Sequence, residues 1–190
     1  MPGQFPLVKP LSAAQEEHFH RAAMPDLDPS LAPGVVKQWG QWVKSAPIEI
    51  DGKATRWRIL GIYDLLAHYE DGTVGIIDCK VSDSDRDNAQ FYAPQLEAYA
   101  YALENPDKGK PFPVSTMGLL VWKLAGITET LDGKHGFGVT QHYLHVTRDQ
   151  AQFKSLISDL IDVIEGDLPA AGPDCDTCNY LTKRLALESD

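Results

Sequence analysis

The sequence is poor in cysteine, has no long apolar run and carries fewer basic than acidic residues. Three cysteines among 190 residues, an odd number, do not make the disulfide framework of a small secreted protein, so a reducing compartment fits. No apolar run approaches the roughly 18 residues that cross a bilayer. The first residues also lack the basic start and apolar centre of a signal peptide. We therefore expect a cytoplasmic protein without a membrane partner.

The shortage of positive charge limits the partners that the chain can hold. Lys and Arg number 17 against 27 Asp and Glu, and the net charge is −10. Broad nonspecific binding to nucleic acid is disfavoured, because phosphate contacts need clustered basic side chains. A local basic groove remains compatible with this balance, and carboxylates that hold a divalent cation would themselves add to the negative count.

The remaining composition is that of an ordinary globular protein, with 43% hydrophobic and 23% charged residues. A chain of this length needs one core only, so we predict a single domain over residues 1–190. The patterns of apolar residues and turns predict the order α, α, β, β, β, α, β, β, α. The first predicted helix covers 12–24, and Ser12 opens it and Pro25 ends it. The second covers 33–46, the third contains residues 95–103, and the last covers 147–166 and is capped by Thr147. The predicted strands cover 48–50, 55–69, 74–81, 114–124 and 139–146.

The segment 33–46 has its apolar residues at helical spacing, which predicts an amphipathic helix between Pro33 and Pro47. Its two tryptophans are expected to pack in the core rather than to form a platform for nucleic-acid bases. The apolar stripe consists of Val35, Val36, Trp39, Trp42 and Val43.

The segment 75–80, GIIDCK, ends a buried strand with an acid and a lysine. Because strand side chains alternate, Asp78 and Lys80 point to one face and Cys79 to the other, so that Cys79 contributes its backbone carbonyl at most. An Asp/Lys pair alone is usually a solvated ion pair of little consequence. Its interpretation therefore depends on the neighbouring residues.

A second carboxylate, Asp64, lies on the preceding strand, across a turn at Asp71 and Gly72. In a paired hairpin Asp64 and Asp78 can converge, and two carboxylates suit a hard divalent ion such as Mg²⁺. Lys80 would place its ammonium against an attacking water or the charge that develops on phosphorus. Phosphodiester hydrolysis is the reaction that this combination serves best.

Basic residues near this hairpin could follow a nucleic-acid backbone. Alternation along a strand over 55–69 would put Arg56 and Arg58 on the same side as Asp64, and Arg86 follows the next strand. A groove for phosphates is one interpretation, and surface solubility explains the same residues.

Three motifs occur in order along the chain: GIYD at 61–64, IIDCK at 76–80 and QLEAY at 95–99. They resemble the G-x-x-D, D-x-K and Q-x-x-x-Y motifs of the PD-(D/E)XK nuclease superfamily, in its RecB-like branch. The predicted order αβββαβ is similar to that family's core, and the resemblance covers about residues 45–125. The C-terminal helix and a short cysteine-containing tail, 148–190, lie outside it. The resemblance implies an α/β, restriction-endonuclease-like core with a central mixed sheet flanked by helices.

By this resemblance, Asp64 and Asp78 would bind Mg²⁺ or Mn²⁺, Lys80 would be the catalytic lysine, and Gln95 and Tyr99 would line the active-site groove. The implied activity is metal-dependent hydrolysis of DNA, as an exonuclease acting on ends or single strands.

Two further ligands follow from the resemblance alone. RecB-like enzymes often use a histidine from the N-terminal helices, where His18 and His20 are available; they cannot share one helix face, and His20 is the better candidate. Either histidine could equally be an ordinary exposed residue. Glu49 is similar to a glutamate often present on the first strand, although the alternation of residues 48–50 needs no function to explain it.

The tail segment 175–180, CDTCNY, is similar to the C-terminal cysteine segment of RecB-like nucleases that carry an iron–sulfur cluster. Such a cluster takes four thiolates as a rule. The tail has only Cys175 and Cys178, and alternation turns Cys79 away from the proposed metal. We expect no intact iron–sulfur cluster.

Two rival functions remain open at this stage. The chain could be a catalytically silent relative that binds nucleic acid or a protein. It could also be a nuclease subunit of a repair or processing complex, in which a protein partner supplies the DNA-holding surface that an acidic chain lacks.

Overall fold

The computed structural model describes residues 8–82, 89–129 and 132–187. Arg86 lies outside these ranges. The helices are α1 Val8–Phe19, α2 Met24–Leu27, α3 Ala89–Glu104, α4 Gln150–Glu165 and α5 Asp176–Leu187. The strands are β1 Gly34–Lys44, β2 Glu49–Ile50, β3 Lys53–Ala54, β4 Leu60–Tyr69, β5 Val74–Ser82, β6 Val114–Glu129 and β7 His135–His145.

Five of the strands form one mixed sheet in the order β1-β4-β5-β6-β7. The pairs β1/β4, β4/β5 and β6/β7 are antiparallel, whereas β5 and β6 are parallel and are connected through α3. A parallel pair needs such a crossover, because its strands must run in the same direction. The predicted α/β fold, a central mixed sheet flanked by helices, is confirmed.

The largest error of the sequence prediction is at β1, which was expected to be a helix. Residues 34–44 pair with β4 from Gly34↔Tyr69 to Lys44↔Leu60 and form an edge of the sheet. The segment is rich in valine and tryptophan, which favour strands, and β4 offers it an open edge. The tryptophans were also expected in the core, yet Trp39 is 38% and Trp42 is 69% exposed.

The other differences concern the ends of elements. In place of one predicted helix over 12–24, the chain forms α1 and then the short helix α2. Pro25 lies in the first turn of α2 instead of ending α1. The predicted strand 55–69 begins only at Leu60, while β2 and β3 form a separate two-stranded ribbon around Asp51 and Gly52. Both turn residues have a positive φ, +51° and +72°.

A hydrophobic core lies on each side of the sheet. The α1-side core joins α1 and α2 to the strands through Phe19, Met24 and Leu27. The α3-side core joins α3 to the opposite face, and it includes Leu96 and Leu103. The two cores hold α1 and α3 against opposite faces of the sheet, next to the ends of β4 and β5.

A buried ionic network anchors α3 at its far end. Arg148 donates to Glu104 at 2.7 Å and to Glu97 at 3.2 Å, and Glu97 also accepts the backbone N–H of Asp149 at 2.7 Å. Asp149 accepts the backbone N–H of Gln152 at 2.8 Å and so caps α4, in place of the predicted Thr147.

Contacts divide the chain into two compact units, Met1–Phe153 and Lys154–Asp190. The first contains the sheet with α1, α2 and α3, and the second contains α5 and most of α4. Within the described ranges, no helix is both long and apolar enough to cross a membrane.

Candidate active site

The candidate site lies where β4 and β5 part. Their ladder runs from His68↔Val74 to Leu65↔Ile77, which is its last pair in the described chain. Beyond that pair β4 stays bonded to β1, and β5 to β6. Asp64 and Asp78 are the first residues past the end of the ladder, one on each strand. The structure therefore places both carboxylates at the fork between the two strands.

Asp64 closes the fork with its side chain. Its Oδ2 accepts a hydrogen bond from the backbone N–H of Cys79 at 2.7 Å. The strand is irregular here, since Tyr63 belongs to the α3-side core although Leu65, two residues on, belongs to the α1-side core. Across from Asp64 on β1 is Gly40, with φ +57°. This irregularity lets a residue of β4 bond to the backbone of β5 by its side chain.

Asp78 is almost fully buried, 2% exposed, and its two oxygens have different partners. Oδ2 lies 2.5 Å from Nζ of Lys80, and Oδ1 accepts a hydrogen bond from Nε2 of Gln95 at 3.3 Å. The Lys80 ammonium also lies 4.8 Å from the ring centroid of Tyr92. Alternation along β5 is as predicted, because the side chain of Cys79 packs in the core on the opposite face.

Gln95 and Tyr99 come from α3, where a separation of four residues puts them on one face. Nε2 of Gln95 also lies 3.0 Å from the Tyr99 hydroxyl, to which it donates. Gly61 makes room for this pair, because a Cβ at position 61 would lie 2.7 Å from Cε1 of Tyr99. The glycine of the GIYD motif is thus explained by the close approach of an aromatic ring.

The sequence reasoning missed Glu16 of α1. Burial, and then the charge of Asp78, raises the pKa of Glu16 above its ordinary value. A Cβ at Gly40, across from Asp64, would lie 3.6 Å from Oε2 of Glu16. Glu16 is therefore a third carboxylate facing the fork. The signal available in the sequence was its place on the N-terminal helix, where only histidines were considered.

Burial and mutual repulsion disfavour the ionised forms of the carboxyl groups at this site. Burial, followed by the charge of Asp78, raises the pKa of Asp64 to about 7. Burial likewise raises the pKa of Asp78, although the Lys80 ammonium opposes this effect. Burial alone would lower the pKa of Lys80, but the charge and the hydrogen bond of Asp78, together with the charge of Asp64, outweigh burial, and the pKa is raised. A bound cation would relieve the repulsion among these carboxylates.

The remaining predicted ligands are not brought to the fork. His20 bonds to the backbone carbonyl of Glu17 and packs against Trp39, with ring centroids 4.8 Å apart. Glu49 is exposed on the two-residue strand β2, outside the main sheet. No described contact joins either residue to Asp64 or Asp78.

The arginines of the predicted basic groove also lie differently from the prediction. Arg56 and Arg58 precede β4, so strand alternation does not extend from Asp64 to them. Arg58 donates to the carbonyl of Ser45 at 3.1 Å and forms an ion pair with Asp107. The guanidinium of Arg56 lies over the Trp57 ring, 5.1 Å from its centroid. The alignment of two arginines with Asp64 along one strand face is therefore wrong.

The donor set at the fork suits Mg²⁺ or Mn²⁺. In residues 8–82, 89–129 and 132–187, no group of three or more His, Cys, Asp or Glu side chains could by itself hold a metal ion. Mg²⁺ does not need such a cage, because it is commonly bound by one or two carboxylates together with waters and substrate phosphates. Asp64, Asp78 and the backbone carbonyl of Cys79 match that requirement, since all three supply oxygen.

The cysteines lie in both units. Cys79 is buried in the α1-side core. Cys175 and Cys178 flank the start of α5, where the backbone N–H of Cys178 donates to Sγ of Cys175 at 3.4 Å. All three are free thiols.

A mixed sheet with helices on both sides, and an Asp/Lys pair beside a second aspartate at the fork of two strands, defines a restriction-endonuclease-like fold. A family model described as the PD-(D/E)XK nuclease superfamily matches residues 10–182. The chain belongs to this superfamily.

Other comparisons reveal more distant similarity. No curated protein matches the chain. Among solved structures, the chain is similar to one described as "Crystal structure of SSO0001", with a TM-score of 0.49 and 16% sequence identity. The similarity covers 92% of this chain and 66% of that chain, so this chain spans just under two thirds of the other's length.

Proposed function

We propose that this protein is a metal-dependent deoxyribonuclease that hydrolyses phosphodiester bonds, a RecB-like exonuclease acting on DNA ends or single strands. The observation that carries the proposal is the buried Asp78–Lys80 pair beside Asp64 at the fork of β4 and β5. In an isolated surface ion pair, the carboxylate would be exposed to solvent. Asp78 is instead 2% exposed, and it also accepts a hydrogen bond from Gln95 of α3.

Asp64 and Asp78 would hold a divalent cation, with the carbonyl of Cys79 as a further oxygen ligand. When bound, the cation supplies a Lewis acid for a phosphate oxygen and lowers the pKa of a water molecule. Glu16 faces the same space from α1 and would accept hydrogen bonds from water there. The carboxylates thus provide the negative potential that attracts the cation to an otherwise buried position.

Lys80 would act on the phosphate. Its pKa is raised, so its ammonium stays charged throughout the neutral range, and Asp78 holds it in place at 2.5 Å. A fixed positive charge beside the scissile phosphate favours the transition state, in which negative charge develops on the oxygens of phosphorus. Gln95 and Tyr99 position this pair, because Gln95 bonds to Asp78 and to Tyr99 at the same time.

A cleavage assay tests the proposal. The purified chain is incubated with end-labelled single- and double-stranded DNA, with Mg²⁺, with Mn²⁺ or with EDTA, beside Asp78→Ala and Lys80→Ala variants. Asp159→Asn, an exposed carboxylate of α4, is the matched control. We expect metal-dependent cleavage by the parent and by the control, and a loss of about 100-fold or more in the two site variants.

Circular single-stranded DNA tests the exonuclease mode, since an enzyme that needs an end leaves it intact. Absence of metal-dependent cleavage on every substrate, or equal cleavage by the site variants, would overturn the proposal. A silent relative would then be the better description if the parent still binds DNA. Activity that appears only on addition of a cell extract would favour a subunit of a repair or processing complex. The expected cytoplasmic location remains a prediction from the sequence.

A further inference from the structure

The ammonium of Lys80 has two electrostatic partners, a carboxylate on its own strand and an aromatic ring on α3. Oδ2 of Asp78 lies 2.5 Å from Nζ of Lys80. The same Nζ lies over the ring of Tyr92, 4.8 Å from the ring centroid. A cation at such a distance is attracted by the negative potential of the ring face. Tyr92 is therefore a second partner of the ammonium, and its attraction does not depend on the carboxylate.

Tyr92 lies on the face of α3 that carries Gln95 and Tyr99. The three positions are separated by three and then four residues, which places them on one side of a helix. Gln95 donates to Oδ1 of Asp78 at 3.3 Å and to the hydroxyl of Tyr99 at 3.0 Å. This face of α3 thus contacts both members of the buried ion pair, the carboxylate through Gln95 and the ammonium through Tyr92.

The ring of Tyr92 is itself held in place. It is half-buried and packs against the α3-side core. The ring of Phe91 meets it edge-on, with centroids 5.6 Å apart and an angle of 83° between the ring planes. An edge-to-face arrangement is a favourable geometry for two aromatic rings. The ring is therefore a fixed surface on which a flexible side chain can settle.

Lys80 needs such a surface more than a buried residue would. Its ammonium is a compact charge at the end of a flexible four-carbon stem, and its side chain is 26% exposed. The Asp78 carboxylate restrains the ammonium at one point only. Because Asp78 is also the proposed ligand of a divalent cation, its hold on Lys80 weakens when that site is filled. The ring of Tyr92 is the contact that remains.

We infer that Tyr92 is a positioning residue that holds the Lys80 ammonium against the face of its ring, and its importance for cleavage rests on the proposed nuclease function. The ring covers one side of the ammonium and excludes water there, so the positive charge acts on its open side. The aromatic face carries this role, and the hydroxyl of Tyr92 has no part in it.

A double-mutant cycle in EDTA tests the contact without any catalysis. Tyr92→Leu and Lys80→Ala are combined, and urea unfolding of the four proteins is measured. We expect Tyr92→Leu to raise the unfolding constant about fivefold more in the parent than in the Lys80→Ala background, where no cation faces the ring. Tyr101→Leu is the matched control, because this half-buried tyrosine of α3 packs against Phe153, with ring centroids 6.2 Å apart. It should show no coupling to Lys80→Ala.

Cleavage of single-stranded DNA then tests the effect on the reaction. We expect Tyr92→Leu to lower kcat about tenfold with KM for DNA unchanged, because an interaction that acts only in the transition state changes kcat and kcat/KM alike. Tyr92→Phe restores the ring face and should recover most of that loss. Tyr101→Leu should cleave as the parent does.

Ring fluorination separates the electrostatic attraction from packing. Phenylalanines with increasing numbers of ring fluorines are incorporated at position 92 in place of Tyr92. Fluorine withdraws electrons from the ring face and weakens its attraction for a cation, while the ring keeps nearly the same shape. We expect kcat to fall stepwise along this series. The series also tests the inference if Tyr92→Leu fails to fold, since every member retains an aromatic ring.

The inference is overturned if Tyr92→Leu and Lys80→Ala are not coupled, or if ring fluorination leaves kcat unchanged. An equal loss of kcat in Tyr101→Leu would overturn it as well, because any damage to α3 would then have the same effect. Its failure is distinct from failure of the proposed function. Full metal-dependent cleavage by Tyr92→Leu would refute the role of Tyr92 alone. Coupling in EDTA without cleavage of any DNA would refute the nuclease and leave the contact between Tyr92 and Lys80 established.

Discussion

Asp64 bonds to the backbone N–H of Cys79 through its carboxylate, at 2.7 Å, just where the ladder between their strands ends. In a longer ladder this N–H would bond within the sheet. Here the hydrogen bond from Cys79 connects β5 to the side chain of Asp64 on β4. The other carboxylate oxygen of Asp64 is left for another partner. The consequences of this arrangement can be measured.

Divalent cations should stabilise the folded protein through the fork. A ligand that binds only the folded state raises the free energy of unfolding, by about 2.7 kcal/mol at a concentration 100 times its dissociation constant. We expect millimolar Mn²⁺ to raise the thermal midpoint of the parent. Asp78→Ala should show little or no rise, and Asp159→Asn should behave as the parent. An equal rise in all three proteins would mean that the ion binds elsewhere.

The contribution of Asp64 to stability should fall with rising pH. Its pKa is about 7 in the folded chain and about 3.8, the ordinary value, in the unfolded chain. Between those values the folded state holds a proton that the unfolded state has released, so the contribution of Asp64 to the free energy of unfolding is greatest below pH 4 and declines up to pH 7. The decline is at most about 4 kcal/mol, since a pKa difference of one corresponds to about 1.4 kcal/mol.

Urea unfolding in EDTA between pH 4 and pH 7.5 measures this effect. Asp64→Asn cannot titrate, and the difference between its curve and that of the parent isolates the contribution of this carboxyl. We expect the variant to gain stability relative to the parent as the pH rises. A constant difference across the range would contradict the expectation.

Gly61→Ala should disturb Tyr99. The added Cβ would lie 2.7 Å from Cε1 of that ring, closer than packed carbon atoms tolerate. Overpacking of this kind costs about 1–3 kcal/mol of unfolding free energy, and the displaced ring would pull Gln95 away from Asp78. A matched control is Gly172→Ala, where nothing lies within 4 Å of the added atom.

A double-mutant cycle identifies the clash as the cause. In the Tyr99→Ala background, Gly61→Ala should be nearly neutral, because the ring that it meets is gone. Urea unfolding of the four proteins provides the coupling energy. If Gly61→Ala costs the same in both backgrounds, the glycine is required for another reason.

Lys80→Met should destabilise the fold by leaving the buried Asp78 carboxylate without its cation. Removal of one partner from a buried ion pair costs roughly 3–5 kcal/mol; we expect the lower end, because the Lys80 side chain is 26% exposed. Asp78→Asn with Lys80→Met should recover much of the loss, since no unpaired charge remains. Urea unfolding in EDTA would reveal this recovery, and its absence would show that Lys80 stabilises by packing instead.

The three thiols should react at different rates. The backbone N–H of Cys178 lowers the pKa of the Cys175 thiol, whereas burial raises the pKa of Cys79. A lower pKa gives more of the reactive thiolate at neutral pH. With an aromatic disulfide reagent we expect Cys175 to react first and Cys79 only on unfolding. Cys175→Ser should remove the fast phase, and its persistence in that variant would contradict the assignment.

Local alternation explains why much of the site was predictable. Asp78, Cys79 and Lys80 lie on one continuous strand, so the faces of their side chains follow from sequence position alone. Gln95 and Tyr99 are likewise related by helical spacing. The motif pattern then indicated that these elements belong together, and the family match supports that interpretation.

The errors arose where a distant partner decides the structure. The apolar residues of 34–44 fit a helical stripe, but β4 has an open edge that this segment covers as β1. The alignment of Arg56 with Asp64 failed because β4 begins only at Leu60. Neither the partner of an edge strand nor the residue at which a strand begins can be read from periodicity.

The sequence by itself determined the order of the elements that carry the motifs and the separation of Cys79 from Asp78 and Lys80, since both depend on contacts within one strand or one helix. Only the tertiary structure decided that Asp64 meets Cys79 at the end of a ladder, that Glu16 faces the fork and that Trp42 is exposed. Those features depend on which strands pair and where a helix crosses them, and packing of distant segments sets both.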